Sequence, residues 1–297
     1  MTCPKVSIVI VNWNGRLYLK DCLSSVFSQS YPNYEVILVD NGSEDGSVDY
    51  VRDNFPNTKL IVNAANLGFS RGNNIGIRAA KGKYIATLNN DTRVDRNWVQ
   101  ELVKVAEADE KVGSCQAKIV SFRDRRIIDA VGIRINKCGT PYQIGYGEKD
   151  EGQYESVSEV FGACACAALY RKEMLDHVGL FDEDFFTYYE DVDLAWRARL
   201  LGWRCVFVPT SLVYHIHSAT GRRVSGFTQY YLARNRFWLL KKHATWRQFA
   251  CSLLWFLFTD FWFTSGVQLI YHRSMKDLLS FYKGIRDGLL KNPGGTQ

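Results

Sequence analysis

The chain has 297 residues, of which 46% are hydrophobic and 23% charged. That is ordinary for a globular protein and sufficient for one large α/β domain or two small ones around a sizeable core. The net charge of +6 is modest, and no basic stripe runs along the sequence, which excludes nucleic acid as a partner. The eight cysteines include no Cys-x-x-Cys pair, which excludes zinc-cluster and thioredoxin-type motifs and makes a reducing compartment the simplest expectation.

The first 90 residues alternate strand and helix. Val6 to Val11 is a β-branched run of the kind found in a parallel strand covered on both faces. Leu19, Cys22, Leu23, Val26 and Phe27 then recur at helical spacing. Strand Val36–Asp40, a helix opening near Ser43–Asp45, strand Lys59–Asn63, a helix from about Ser70 to Ala80, and strand Tyr84–Asn89 follow. This βαβαβαβ order predicts a parallel sheet with right-handed crossovers. Trp98, Val99, Leu102, Val103 and Ala106 mark the next helix. Residues 121–158 are rich in glycine and charge and read as a β-ribbon with mobile loops. Order returns at Val160–Leu169, followed by a helix near Arg171–Val178, an acidic cluster leading a helix to Leu201, and strand Arg204–Val208. Cys22 and Cys205 fall in apolar periodic segments and read as small core residues. No charged-then-apolar signal region precedes the first strand.

The last part of the chain differs in character. Phe249 to Tyr271 is dense in Phe, Trp and Leu, with Asp260 its one charge. As a helix it would extend roughly 35 Å at about 1.5 Å per residue, enough for a bilayer core of about 30 Å. A central Asp would cost roughly 2.5–3.5 kcal/mol in a span. Lys241, Lys242 and Arg247 before the run, and Arg273 and Lys276 after it, are basic on both flanks. These features favour a helix or hairpin lying in the interface, with Asp260 kept wet. A core or dimer-interface helix is the alternative. The expected division is a catalytic-type domain over 1–240 and a helical, membrane-associated region over 241–297.

Several segments carry candidate chemistry. Asp40 ends a strand and is followed by Asn41-Gly42-Ser43. A carboxylate there can accept a hydrogen bond from a nucleobase, with Trp13 stacking on the base; turn formation is the competing reading. The run from Asn66 through Gly68, Arg71 and Asn74 enters a helix, where N–H groups and Arg71 can face a diphosphate or simply cap the helix. The dinucleotide fingerprint G-x-G-x-x-G is absent after the first strand, which disfavours an oxidoreductase. Asn89-Asn90-Asp91 leaves a strand with hard oxygen donors suited to Mg²⁺ or Mn²⁺. Glu190, Asp191 and Asp193 open a helix beside Phe185, Phe186, Tyr188 and Tyr189. Acids there favour the helix dipole or provide a general base. His215 and His217 follow a strand end and are candidate metal ligands.

As an ordered set these residues resemble the family 2 glycosyltransferases of the GT-A fold, over about Val6 to Lys241. The resemblance rests on Ser7 to Asn14, Val39-Asp40-Asn41-Gly42-Ser43, Asn66-x-Gly68-Phe69 with Gly72-Asn73-Asn74, and Leu88-Asn89-Asn90-Asp91. Further pieces are Val178 to Glu183, Tyr189 to Asp193, and Arg234-Asn235. It implies a Rossmann-like, mostly parallel sheet and an inverting, metal-dependent transfer from a nucleotide-diphosphate sugar to a glycan or lipid-linked acceptor. Donor-site residues would be Asn12, Trp13, Asp40, Asn66, Arg71, Asn74, Asn89 and Asn90. Asp91 would hold Mg²⁺ or Mn²⁺ with His215, for which His217 competes. Asp191 would be the base, and Tyr189 and Glu190 would meet the acceptor. The Asn-Trp-Asn-Gly, Asn-x-Gly-Phe and Asn-Asn-Asp set resembles the rhamnosyltransferase-like branch, which uses dTDP-L-rhamnose and includes users of other sugars. Such an enzyme is expected in cell-surface polysaccharide synthesis, in the cytoplasm and peripheral on the inner face of the membrane. The alternative is a catalytically inactive nucleotide-sugar-binding subunit of a membrane glycan-assembly complex.

Overall fold

The computed structural model describes residues 3–155, 159–216 and 224–292. Its centre is a mixed sheet in the order β10-β12-β6-β11-β4-β1-β2-β3. Strands β1 (Val6–Asn12), β2 (Tyr34–Asp40), β3 (Lys59–Val62) and β4 (Tyr84–Asn89) are parallel, as expected. Beyond β4 the direction reverses: β11 (Ala167–Arg171) runs antiparallel to both β4 and β6 (Val112–Ser121). Along the edge of β12 (Arg204–His215) away from β6, the short β5 (Thr92–Val94) pairs with residues 213–215 and β10 (Glu159–Val160) with residues 205–206.

The sheet is buried on both faces. Helices α1 (Arg16–Phe27), α2 (Ser47–Asn54) and α4 (Trp98–Ala108) place Leu19, Leu23, Val51, Trp98 and Leu102 against one face. Helices α3 (Gly68–Ala79), α5 (Lys172–Val178) and α6 (Glu190–Leu200) place Ile77, Met174, Leu175 and Leu194 against the other. Cys22 and Cys205 are buried, as their periodicity predicted.

Two strands differ from the sequence reading. β6 is a central strand, yet Gln116 and Lys118 interrupt its apolar pattern. Gln116 is satisfied by accepting from the Cys164 N–H and donating to Ala117 O, and Lys118 pairs with Asp150 at 2.5 Å. β12 does not stop at Val208 but runs on to His215, with a register shift between Val208 and Leu212 that accommodates Pro209. Residues 121–155 hold β7 (Ile128–Ala130), paired with β6, and a hairpin of β8 (Ile133–Ile135) and β9 (Pro141–Gln143). Cys138, at the hairpin tip, forms a disulfide with Cys251, a departure from the expectation of reduced thiols throughout.

After β12, α7 (Phe227–His243) leads into a helical run from Trp246 to Tyr271. The run comprises α8 (Trp246–Trp255), a π-helical turn, α9 (Phe261–Gly266) and a second π-helical turn. Helix α10 (Met275–Leu290) returns along α7, with Phe237, Phe256 and Phe281 packed together. The run is turned inside out. Ser252, Ser265 and Gln268 face the protein, while Trp255, Phe258, Trp262, Phe263 and Ile270 are 59–79% exposed. Asp260 keeps 38% of its side chain exposed and also pairs with buried Arg236 at 2.5 Å.

Candidate active site

Parallel strands of this kind open their ligand crevice at their carboxyl ends. The pairing registers bring three of those ends together: Asn12 lies beside Asp40, and Asn89 beside Val11. A cavity of about 770 Å³ opens there. Trp13, Asn66, Asn89, Asn90, Asp91, Tyr189, Glu190, Asp191 and His215 all line it, so residues spread over some 200 positions meet in one site.

At one end the floor is a hydrogen-bonded mesh. Asn12 Nδ2 donates to Asp40 Oδ2 at 2.8 Å, and Asn90 Nδ2 donates to Asn12 Oδ1 at 2.6 Å. Asp40 is fully buried and also accepts from the Ser43 N–H at 2.8 Å and hydroxyl at 2.7 Å. Gly15 is required by this mesh, because a Cβ there would come 2.0 Å from Asn90 Nδ2. Asp40 therefore shapes the end of the cavity from beneath, through Asn12 and the 41–43 turn. Asn66 accepts from the Gly68 N–H at 2.9 Å and holds the entrance to α3.

Asp91 sits just past β4, and His215 at the end of β12 faces it, Nε2 to Oδ1 at 3.3 Å. The other ring nitrogen of His215 is 2.5 Å from Asp129 Oδ2. Asp129 was not foreseen. It lies on β7, is buried, and lines the cavity. A lone acid within the apolar run Ile127-Ile128-Asp129-Ala130-Val131 was the signal that could have found it. Burial opposes a positive charge on His215, but Cys166, Asp129 and Asp91 together raise its pKa well above the ordinary imidazole value. The competing His217 lies outside the described residues. Among the described residues no group of three or more His, Cys, Asp or Glu makes a self-sufficient metal cage. One carboxylate and one imidazole nonetheless fit a cation that takes its remaining ligands from phosphates and water.

Glu190 and Asp191 open α6 on the facing wall. Asp191 accepts backbone N–H groups from Ala165 at 3.1 Å and Val192 at 2.8 Å. Glu190 is buried, and its Oε2 has no hydrogen-bond partner among the described residues. Burial raises both carboxyl groups, and the Asp191 charge lifts Glu190 well above its ordinary value. The N–H bonds favour the charge on Asp191 and offset part of the effect of its burial.

Asp193, third in the acidic cluster, turns away from the cavity. It is fully buried and bonds His243 Nε2 at 2.7 Å, Lys242 Nζ at 2.7 Å and Arg197 Nε at 2.8 Å. Burial works against its charge, but these partners pull its pKa down to about 2. A depressed folded-state pKa contributes stability at neutral pH that is lost as pH falls from about 4 towards 2. Asp193→Asn is expected to destabilise the protein by about 3 kcal/mol at pH 7, and by less at pH 3. Urea melts at the two pH values check this; an equal loss at both would contradict it.

The structure does not bring Arg71 or Asn74 to the cavity wall. Arg71 is exposed and pairs with Glu183 at 3.5 Å. Asn74 is buried and tied to the Phe181 backbone and to Glu183 Oε1. Both hold α3 against the segment that precedes α6. The far wall comes from the β8–β9 hairpin, through Pro141, Tyr142 and Gln143, and from α7, through Phe227, Thr228 and Leu232.

The chain is similar to known proteins in sequence and in fold. The sequence model described as Glycosyl transferase family 2 matches residues 7–179. An N-acetylglucosaminyl-diphospho-decaprenol L-rhamnosyltransferase of Mycobacterium tuberculosis is 27% identical over 80% of this chain and 85% of its own length. A poly-beta-1,6-N-acetyl-D-glucosamine synthase of Staphylococcus epidermidis is 25% identical over 70% of this chain and 49% of its own. The chain spans only 25–49% of several such relatives. Among solved structures, the mannosyltransferase PcManGT from Pyrobaculum calidifontis, in complex with GDP-Man and Mn²⁺, superposes with a TM-score of 0.63. That match is at 16% identity over 98% of this chain and 88% of that one. S. aureus TarS 1-349 with UDP gives 0.60 at 17% identity, over 96% and 80%. These likenesses establish the fold.

Proposed function

The chain belongs to glycosyl transferase family 2, and on that premise we propose that it transfers a sugar from a nucleoside-diphosphate donor to a glycan or glycolipid acceptor, with inversion at the anomeric carbon. The observation that carries this reading is the arrangement across one cavity: Glu190 and Asp191 on one wall, Asp91 and His215 on another. Asp191 takes the proton from the acceptor hydroxyl as that oxygen attacks the anomeric carbon and the bond to the diphosphate breaks. Glu190 meets the acceptor beside Tyr189. Trp13, Asn66, Asn89 and Asn90 bind the nucleotide sugar, and Asp40 fixes the nucleotide end through Asn12. Arg71 and Asn74 act on the donor side through the position of α3.

Asp91 and His215 would hold Mg²⁺ or Mn²⁺, with Asp129 orienting the imidazole. Such a cation, when bound, neutralises the charge developing on the departing diphosphate. The finer donor reading is dTDP-L-rhamnose, supported by the mycobacterial L-rhamnosyltransferase relative. Thermal stabilisation by a panel of nucleotide sugars with Mn²⁺ tests it: the largest shift is expected from dTDP-L-rhamnose, and a larger one from a UDP or GDP sugar would replace that donor.

The exposed apolar run Trp246–Tyr271 supports attachment to a membrane surface, within a helical region from 241 onward; the cytoplasmic face remains the expectation from the sequence. By length and composition it is able to cross a bilayer. Its polar stripe against the protein and the Arg236–Asp260 pair favour lying in the interface, apolar face outward. Arg247, Arg273 and Lys276 can meet anionic head groups, each worth about 1 kcal/mol. The full chain is expected to float with anionic vesicles and to release as salt rises. Failure to float with vesicles at any salt would overturn the attachment.

A further inference from the structure

Arg234-Asn235 is part of the sequence pattern but has no part in the chemistry above. In α7 these two residues face the segment that carries the proposed base. Asn235 is fully buried, and its Nδ2 lies 3.0, 2.8 and 2.8 Å from the carbonyl oxygens of Phe185, Thr187 and Tyr188. Arg234 donates from Nη2 to the carbonyls of Asp184 and Phe185, each at 2.9 Å, and from Nε to Asn235 Oδ1 at 2.8 Å. From the other side, the N–H groups of Phe69 and Ser70 at the start of α3 bond Phe186 O at 2.7 and 3.1 Å. Every carbonyl from Asp184 to Tyr188 is therefore held by a group outside the segment.

The held backbone is strained. Phe186, Tyr188 and Tyr189 have φ of 65°, 67° and 71°, a region that aromatic side chains avoid. Phe186, with ψ of −56°, centres a γ-turn closed by the Thr187 N–H on Phe185 O at 2.7 Å, the rare positive-φ form of that turn. The approach of α3 is equally tight: at Gly68, φ +84°, a Cβ would meet Phe186 at 2.6 Å. Such conformations persist only where the surroundings over-determine them, and they gather at functional sites. Phe186 to Val192 line the cavity without a gap.

We propose that Asn235 and Arg234 are positioning residues: they clamp residues 184–189 in a strained conformation that sets Glu190 and Asp191 in the cavity. Asn235 does most of this, because its loss leaves the carbonyls of Thr187 and Tyr188 without that donor. The proposal rests on Asp191 being the base of the transfer reaction. It separates placement of the base from binding of the nucleotide, whose end of the cavity is built on β1, β2 and β4.

The test compares wild type with Asn235→Ala in two arms. In the first, hydrogen exchange is followed by mass spectrometry without substrate. Exchange over 184–192 is expected to quicken at least about tenfold, with β1–β4 unchanged. In the second, kcat is expected to fall at least about 100-fold, with nucleotide affinity within about threefold of wild type. A purely stabilising role would lower the melting temperature while folded protein kept its kcat. Unchanged exchange over 184–192, or kcat within threefold of wild type, would overturn the clamp. If Asn235→Ala does not accumulate folded, Arg234→Lys, which keeps the charge but loses the planar fork, is read by the same two arms with the same outcomes. A wild-type protein that turns over no nucleotide sugar would sink the transfer reading; the exchange arm then decides the clamp alone.

Discussion

Asp191→Asn is expected to keep donor binding and lose roughly two to four orders of magnitude in turnover, the usual share of a positioned general base. The substitution is nearly isosteric, and the amide oxygen can still accept the N–H groups of Ala165 and Val192 that hold the carboxylate now. What it removes is the capacity to take a proton. Because burial raises Asp191 above the ordinary carboxylate value, the base is protonated, and turnover lost, at a higher pH than for an exposed acid. The wild-type rate should therefore fall on the acid side as pH drops through that raised value, and the limb should be absent from the residual rate of the mutant. Since Glu190 and Asp191 share one buried environment, the limb belongs to the pair. Steady-state kinetics from pH 4 to 9 measure both. Near-normal turnover in Asp191→Asn would remove it from the reaction and turn attention to Glu190.

Asp91→Ala should be comparably damaging for a different reason. Without Asp91 the cavity keeps His215 alone among the two proposed ligands, and the departing diphosphate loses its charge partner. Loss of one pre-organised electrostatic contact of this type costs on the order of 10²–10³ in rate. Binding supplies a readout independent of turnover. Mn²⁺ titrated with the nucleoside diphosphate present, followed by its electron paramagnetic resonance signal, should bind the wild type and fail to bind Asp91→Ala. Asp129→Asn should lie between, weakening Mn²⁺ about 10–100-fold, the usual cost of losing a carboxylate behind a ligating imidazole. Full wild-type activity in chelator would reject the metal and leave the protein's own cations to meet the diphosphate.

What the sequence revealed followed the physics of its patterns. β4 was read residue for residue, since its apolar run ends in polar residues at the cavity edge. The meeting of Asp91, Asp191 and His215 followed from strand ends and one helix start. β6 was hidden because buried Gln116 and Lys118 find partners, the Cys164 N–H and Asp150, that are distant in sequence. Asp129 was hidden in a segment read as a β-ribbon with mobile loops, in which no single residue was picked out. Arg71 was read as facing a diphosphate because it enters a helix beside a glycine turn, and Asn74 as a donor-site residue from the resemblance. Periodicity cannot say which neighbour a helix start will meet, and here the neighbour includes Phe181 and Glu183. The inside-out stripe of the last helices was also out of reach of composition, which shows that the run is apolar but not that Ser252, Ser265 and Gln268 are the residues turned inward.

The central claim is that this cavity moves a sugar from a nucleoside diphosphate to a hydroxyl with Asp191 as the base. The most direct measurement is nuclear magnetic resonance of the donor's anomeric carbon during turnover, with and without acceptor glycan, in wild type and Asp191→Asn. The account predicts acceptor-dependent release of the nucleoside diphosphate, a product of inverted anomeric configuration, and near-silence from the mutant. Retained configuration, or a donor that binds and stays intact with every acceptor, would contradict it.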